Sequence, residues 1–160
     1  MFRPIFHKLY LNNVRQMSTQ TFNAEQAASK LHITFKTPGI LQQALTHRSY
    51  LQGNLPTNDR LQRLGNQVLR LTVCEEGVKS LGNAAHKNDL RDYITKYTDS
   101  DYLAQQFDVL DLTDGLRYKA PGQGVPTLIK AKAFESVVGA ICHDQGTKAA
   151  QEFVTSRLFK

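Results

Sequence analysis

NDRLQRLGNQVL, residues Asn58–Leu69, has the composition of a helix start. Asn58 is a favoured N-cap, Asp59 places negative charge in the first turn, and strong helix formers follow. Leu61, Leu64, Val68 and Leu71 recur at i, i+3, i+7 and i+10, a spacing that predicts one buried stripe. Gln62 and Asn66 stand four apart and share a different face. Taken alone, two neutral amides there describe a solvated surface. The helix is expected to run to Leu81, where Ser80-Leu81-Gly82-Asn83 supplies stop signals.

The chain on either side is also helical in pattern. Ala24–Leu31 reads as a helix, Thr37-Pro38-Gly39 as a break, and Ile40–Thr46 as a short helix with Ile40, Leu41, Ala44 and Leu45 inward. His47 follows, without a Ser or Cys nucleophile identifiable beside it, so a supporting role is expected. Asn88–Tyr97 and Asp101–Leu110 carry helical stripes, and the Gly- and Pro-rich Asp111–Thr127 is a loop. Leu128–Asp144 and Thr147–Phe159 complete the set, with Gly139 allowing another helix close and Ala150, Phe153, Val154 and Leu158 facing inward. Neither strand alternation nor an internal repeat is present, so the fold class is all-α.

At 160 residues, 41% hydrophobic and 21% charged, the chain suits one globular domain with its own core. Its two cysteines, Cys74 and Cys142, lie in apolar helical patterns and are expected to pack as small hydrophobes; they make neither a disulfide framework nor a zinc site. No run approaches the ~18 apolar residues of a membrane span, so no membrane partner is expected. Half of the net charge of +6 sits in residues 1–24, where Arg3, Lys8 and Arg15 precede the first acid, Glu25. Phe2, Ile5, Phe6 and Leu9 line one face there, a pattern that suits a mitochondrial targeting segment over residues 1–24. An N-terminal helix or an RNA-binding arm would share that composition.

Three segments resemble the ribonuclease III family. Asn58–Leu69 resembles its signature motif, NERLEFLGDxVL; ALTHRSY at Ala44–Tyr50 resembles its ALTHxSY; and KAKAFESVVGAICHDQG at Lys130–Gly146 resembles its KADxFEAxxGAxxxDxG. The resemblance covers roughly residues 31–159. It implies the helical fold of that family's endonuclease domain over residues 25–160, with no double-stranded-RNA-binding domain in the sequence. In the family, four carboxylates on two helices hold catalytic Mg²⁺. The matching positions here are Gln62, Asn66, Lys132 and Glu135, so one carboxylate remains, and Lys132 is expected to pair with it at i, i+3. An ammonium ~5 Å from a divalent ion costs on the order of 6–7 kcal/mol at an effective dielectric of ~20.

The expectation that follows is a degenerate site: no enzyme, no metal and no cofactor. The family's dimer interface maps onto Arg63, Leu64, Val68 and Leu71. Arg63 replaces the family's phenylalanine, which implies pairing with a related but different chain. The group most resembled is the ribonuclease III-like proteins of the mitochondrial large ribosomal subunit. The expected function is a non-catalytic structural component of that subunit in the mitochondrial matrix, its partners rRNA, ribosomal proteins and a paralogous chain. The alternatives are a pseudo-nuclease partner in mitochondrial RNA processing and an active double-stranded-RNA endonuclease. The basic residues are scattered and single out no RNA-contact position.

Overall fold

A computed structural model describes residues 22–119 and 122–159. Most of the segment read as a targeting sequence, residues 1–24, lies outside them. Seven α-helices are present among the described residues: α1 Ala24–Leu31, α2 Pro38–Ala44, α3 Asp59–Leu81, α4 Lys87–Thr98, α5 Ser100–Val109, α6 Thr127–Gln145 and α7 Thr147–Leu158. Among the described residues there is no strand; the only sheet-like contact is an isolated bridge between Thr46 and Arg117. The fold is all-α, as the hydrophobic spacing predicts. None of these helices is long and apolar enough to cross a membrane.

The helix bounds follow local chemistry. Asn23 caps α1 by accepting from the backbone N–H of Gln26 at 2.9 Å, and Asp99 caps α5 by accepting from that of Asp101. The second helix starts earlier than its sequence suggests. Pro38 occupies the first helical turn instead of breaking the pattern, because its missing N–H is one that a helix start leaves unpaired anyway. Asp144, near the end of α6, accepts from the N–H groups of Lys36 and Thr37 and so anchors that start to the core.

At the centre is α6, buried without a break from Ala133 to Ile141. A helix apolar on all sides must be covered on all sides, and α2, α3, α5 and α7 cover it. Its most extensive partner is α3, a rod of 23 residues and about 35 Å. Glycines set their distance: a Cβ on Gly65 would overlap the Glu135 carbonyl oxygen, and one on Gly139 would overlap that of Leu61. The two backbones therefore touch, and each glycine serves the other helix. Toward its C-terminus α3 meets α4, where Gly77 leaves room for Leu90 and Tyr93. No residue of α4 is fully buried; Tyr93 and Tyr97 pack with Phe159 in a partly exposed aromatic cluster.

The predicted apolar stripe of α3 divides in two. Leu61 and Val68 are buried, together with Gly65, Leu69, Thr72 and Val73, which form the line against α6. Leu64 and Leu71 are 37% and 50% exposed, and Val78 shares their flank at 59%. The close glycine contact rotates α3 so that Gly65, rather than Leu64, faces α6. Asn58 likewise departs from its predicted role. It is buried, makes no side-chain cap, and its Nδ2 finds no hydrogen-bond partner among the described residues. The two cysteines are half-buried and free.

Replacing Gly65 or Gly139 by alanine is expected to lower stability by about 3 kcal/mol, an overpacking cost that only backbone movement relieves. Gly39 is the control, since a Cβ there would meet nothing within 4 Å; Gly39→Ala should stabilise by about 0.5–1 kcal/mol through helix propensity. Urea unfolding midpoints of the three variants check both signs.

Candidate functional site

The first turns of α3 and the middle of α6 bring three of the four family-matched positions, Gln62, Asn66 and Glu135, into contact. Gln62 and Asn66 project from one face of α3 toward Glu135 on α6. Gln62 donates from Nε2 to Glu135 Oε2 at 2.5 Å, and Asn66 donates from Nδ2 to Oε1 at 2.6 Å. Glu135 is 7% exposed. A carboxylate that deep needs its oxygens satisfied, and the two amides do this without adding charge. Hydrogen bonds to a charged group contribute roughly 1.5–3 kcal/mol each, so the pair fastens α3 to α6 beside the glycine contact.

Lys132 does not pair with Glu135, contrary to the expected i, i+3 bridge. It makes no salt bridge among the described residues. The reason is packing: Glu135 is drawn inward by two donors from α3, whereas Lys132 is only half-buried. Its charge acts on His47 instead. Burial is the main cause that lowers the His47 pKa from 6.5; Lys132 and then Arg48 lower it further, and Asp59 opposes them. His47 Nδ1 is 2.9 Å from the Ser49 hydroxyl, and its backbone N–H donates to the Arg117 carbonyl at 2.8 Å.

That loop is joined to a second one. Arg117 donates its N–H to Leu45 O, the Lys119 N–H donates to Ser49 Oγ at 2.9 Å, and the Arg117 guanidinium lies over the Tyr50 ring. Residues 45–50 and 117–119 are thereby zipped along the edge of the site. Sequence reasoning does not single out Arg48 or Lys119. Arg48 fills the one variable position of the ALTHxSY segment, which is the available signal; nothing in the 111–127 loop marks Lys119.

The residues present do not fit a family-type Mg²⁺ centre. Mg²⁺ demands near-octahedral oxygen ligands, with carboxylates among them. Here the one carboxylate, Glu135, already accepts from an amide donor at each oxygen, and Lys132 brings an ammonium where the motif has an acid. No group of three or more His, Cys, Asp or Glu gathers as a ligand set among the described residues. A separate groove of about 410 Å³ lies farther along α3, against α7, with Glu75, Glu76, Lys79, Lys148 and Glu152 at its edges. Its lining shares no residue with the Glu135 cluster.

Of the residues expected at a dimer interface, Arg63, Leu64 and Leu71 are exposed on one flank of α3, and Val68 is not. Val68 belongs to the core because it follows Gly65 by three and faces α6 with it.

The profile of the family described as Ribonuclease-III-like matches residues 37–160. Ribonuclease 3 of Nitrosococcus oceani is 32% identical over 139 residues, covering 85% of this chain and 58% of its own. Ribonuclease 3 of Streptomyces coelicolor is 36% identical over 126 residues, covering 75% and 45%. The chain thus spans about half the length of the curated relatives it matches. Among solved structures, the nuclease domain of ribonuclease III from Campylobacter jejuni superimposes with a TM-score of 0.74 at 26% identity, covering 84% of this chain and 98% of that one. A second structure of the same domain gives 0.75 at 25% identity, covering 88% and 99%.

These relatives correct two expectations drawn from the sequence. A non-catalytic structural component of the mitochondrial large ribosomal subunit is not what they indicate: they carry the name of a ribonuclease, and nothing in them points to a ribosomal role. The expectation that the chain is no enzyme falls with it, since the kinship is to named ribonucleases. That expectation weighs three lost carboxylates above the rest of the domain, whereas similarity along 139 residues weighs the whole fold.

His47 gives a direct readout of the site. Its pKa lies below 6.5 in the folded chain, so the stability it contributes is present above that value and is lost as pH falls through the lowered one. Lys132→Gln is expected to raise the His47 pKa part of the way back, leaving the larger effect of burial in place. An NMR titration of the imidazole resonances checks this; an unchanged midpoint would show that Lys132 lies too far away to matter.

Proposed function

Since the chain belongs to the ribonuclease III-like family, we propose that its substrate class is double-stranded RNA and its setting endonucleolytic RNA processing. The observation that carries this reading is the convergence of three segments far apart in the sequence: residues 44–50, the first half of α3 and the middle of α6 meet at one site. The net charge of +6 supports a polyanionic ligand. The side chains do not supply a four-carboxylate metal centre, so no hydrolytic step follows from them.

Competition binding tests the substrate class. The purified chain is expected to prefer duplex RNA over duplex DNA of the same sequence, with affinity falling as salt rises; equal affinity for both would overturn the reading. A triple variant, Gln62→Glu, Asn66→Asp and Lys132→Asp, probes the site separately. It should gain a Mg²⁺-dependent rise in melting temperature and cut duplex RNA faster than the parent chain.

The exposed flank of α3 supports a further part of the proposal, pairing through this helix with a related but different chain. Leu64, Leu71 and Val78 recur every seven residues, an apolar line that a second helix can follow. Arg63 adjoins it and is exposed. In a two-fold homodimer both copies of Arg63 would enter the interface, at a cost of several kcal/mol if desolvated unpaired. One of the Campylobacter jejuni structures concerns flexibility in a region involved in dimer formation of that nuclease domain. Arg63→Phe is expected to strengthen self-association in sedimentation equilibrium. A parent chain that already forms a tight homodimer, indifferent to that substitution, would count against heterologous pairing.

A further inference from the structure

The polar cluster between α3 and α6 and the loops zipped beside it have opposite electrical characters. Inside, Glu135 accepts from the Gln62 and Asn66 amides. At the edge, Lys132 is half-buried, Arg48 and Lys119 are exposed, and none of the three has an ion-pair partner among the described residues. The nearby acid, Asp59, accepts from the Thr57 hydroxyl at 2.9 Å. Two other lysines are engaged, Lys30 with Asp111 and Lys130 with Asp108, each at 2.8 Å. Lys130, two residues from Lys132, therefore shows that α6 can satisfy a lysine internally when an acid is in reach.

The backbone fixes the arrangement. Hydrogen bonds from His47 to Arg117 and from Lys119 to Ser49 hold the two loops together, which keeps Arg48 and Lys119 on one rim. Lys132 stands on α6, which packs against α2, the helix that leads into His47 and Arg48, and its charge lowers the His47 pKa.

We propose that this rim binds the phosphate backbone of duplex RNA directly, with Lys132, Arg48 and Lys119 as the contacting cations and no divalent ion between protein and phosphate. The proposal rests on the double-stranded-RNA reading above and names the residues that would serve it. Lysine meets a phosphate as a point charge and arginine as a bidentate donor. Three such contacts on one edge would set the register of a duplex without reading its bases. The interior amide cluster supports them by giving each Glu135 oxygen a donor inside the helix pair, so that this carboxylate is held inward, away from an approaching anion.

Fluorescence anisotropy with a labelled RNA duplex tests this on the full chain, in EDTA and in Mg²⁺. Affinity is expected to be the same in both within about twofold. Lys132→Gln, Arg48→Gln and Lys119→Gln should each weaken binding several-fold and make the dependence of log K on log salt shallower by about 0.7–0.9. Lys132→Arg should restore most of the loss, and Lys87→Gln, at the start of α4, should change nothing. Circular dichroism melts of each variant separate lost contact from lost fold. Binding that requires Mg²⁺, or that is indifferent to all three substitutions in folded variants, would overturn the rim while leaving the RNA reading intact. A chain that binds no duplex RNA under either condition would overturn both.

Discussion

Everything in this domain is arranged around the place where α3 and α6 touch backbone to backbone. Two glycines, Gly65 and Gly139, each remove the one atom that would hold the helices apart. Because the axes come so close, side chains flanking the contact reach across it with little freedom. Glu135 follows from this: it lies four residues before Gly139, its carbonyl sits against Gly65, and its carboxylate is delivered to Gln62 and Asn66. The apolar line of Leu61, Val68 and Leu69 seals the same seam. Core and polar site are therefore one construction, and neither can shift without the other.

Much of this is legible in the sequence. Helix positions are readable because apolar spacing and caps are local properties; Ala24–Leu31 and the run to Leu81 follow from them directly. Gly139 announces a close approach, since a glycine inside a long apolar helix otherwise has no purpose. What cannot be read is rotation. Leu64 and Leu71 share the period of Leu61 and Val68, and only the depth of the Gly65 contact decides which of them faces α6. Partner choice is hidden for a similar reason. Spacing on α6 alone pairs Lys132 with Glu135, but the donors on α3 win because a buried carboxylate is better served by two neutral hydrogen bonds than by an ammonium that must itself be desolvated. Arg48 stands in plain view in a family-like segment, yet its placement depends on a loop some 70 residues away.

Kinship adds something that geometry does not. Similarity to named ribonucleases extends along most of the chain, and the superposition covers nearly all of the nuclease domain from Campylobacter jejuni. Set against the motif that the sequence resembles, Gln62, Asn66 and Lys132 stand where carboxylates are expected. In this chain the close helix contact is compatible with amides at two of those positions because each donor finds an acceptor on Glu135. Gln and Asn satisfy that condition because they keep the length and the hydrogen-bonding reach of Glu and Asp while exchanging an acceptor for a donor.

The amide–carboxylate cluster also bears on thermodynamic linkage. Four carboxylates facing one another repel, so a helix pair built on them is strained until a cation arrives, and its folding free energy must vary with the concentration of that cation. Gln62, Asn66 and Glu135 contain a single negative charge and complete one another's hydrogen bonds. The α3–α6 junction is self-sufficient. It closes on groups the chain itself supplies, two amide donors meeting one carboxylate.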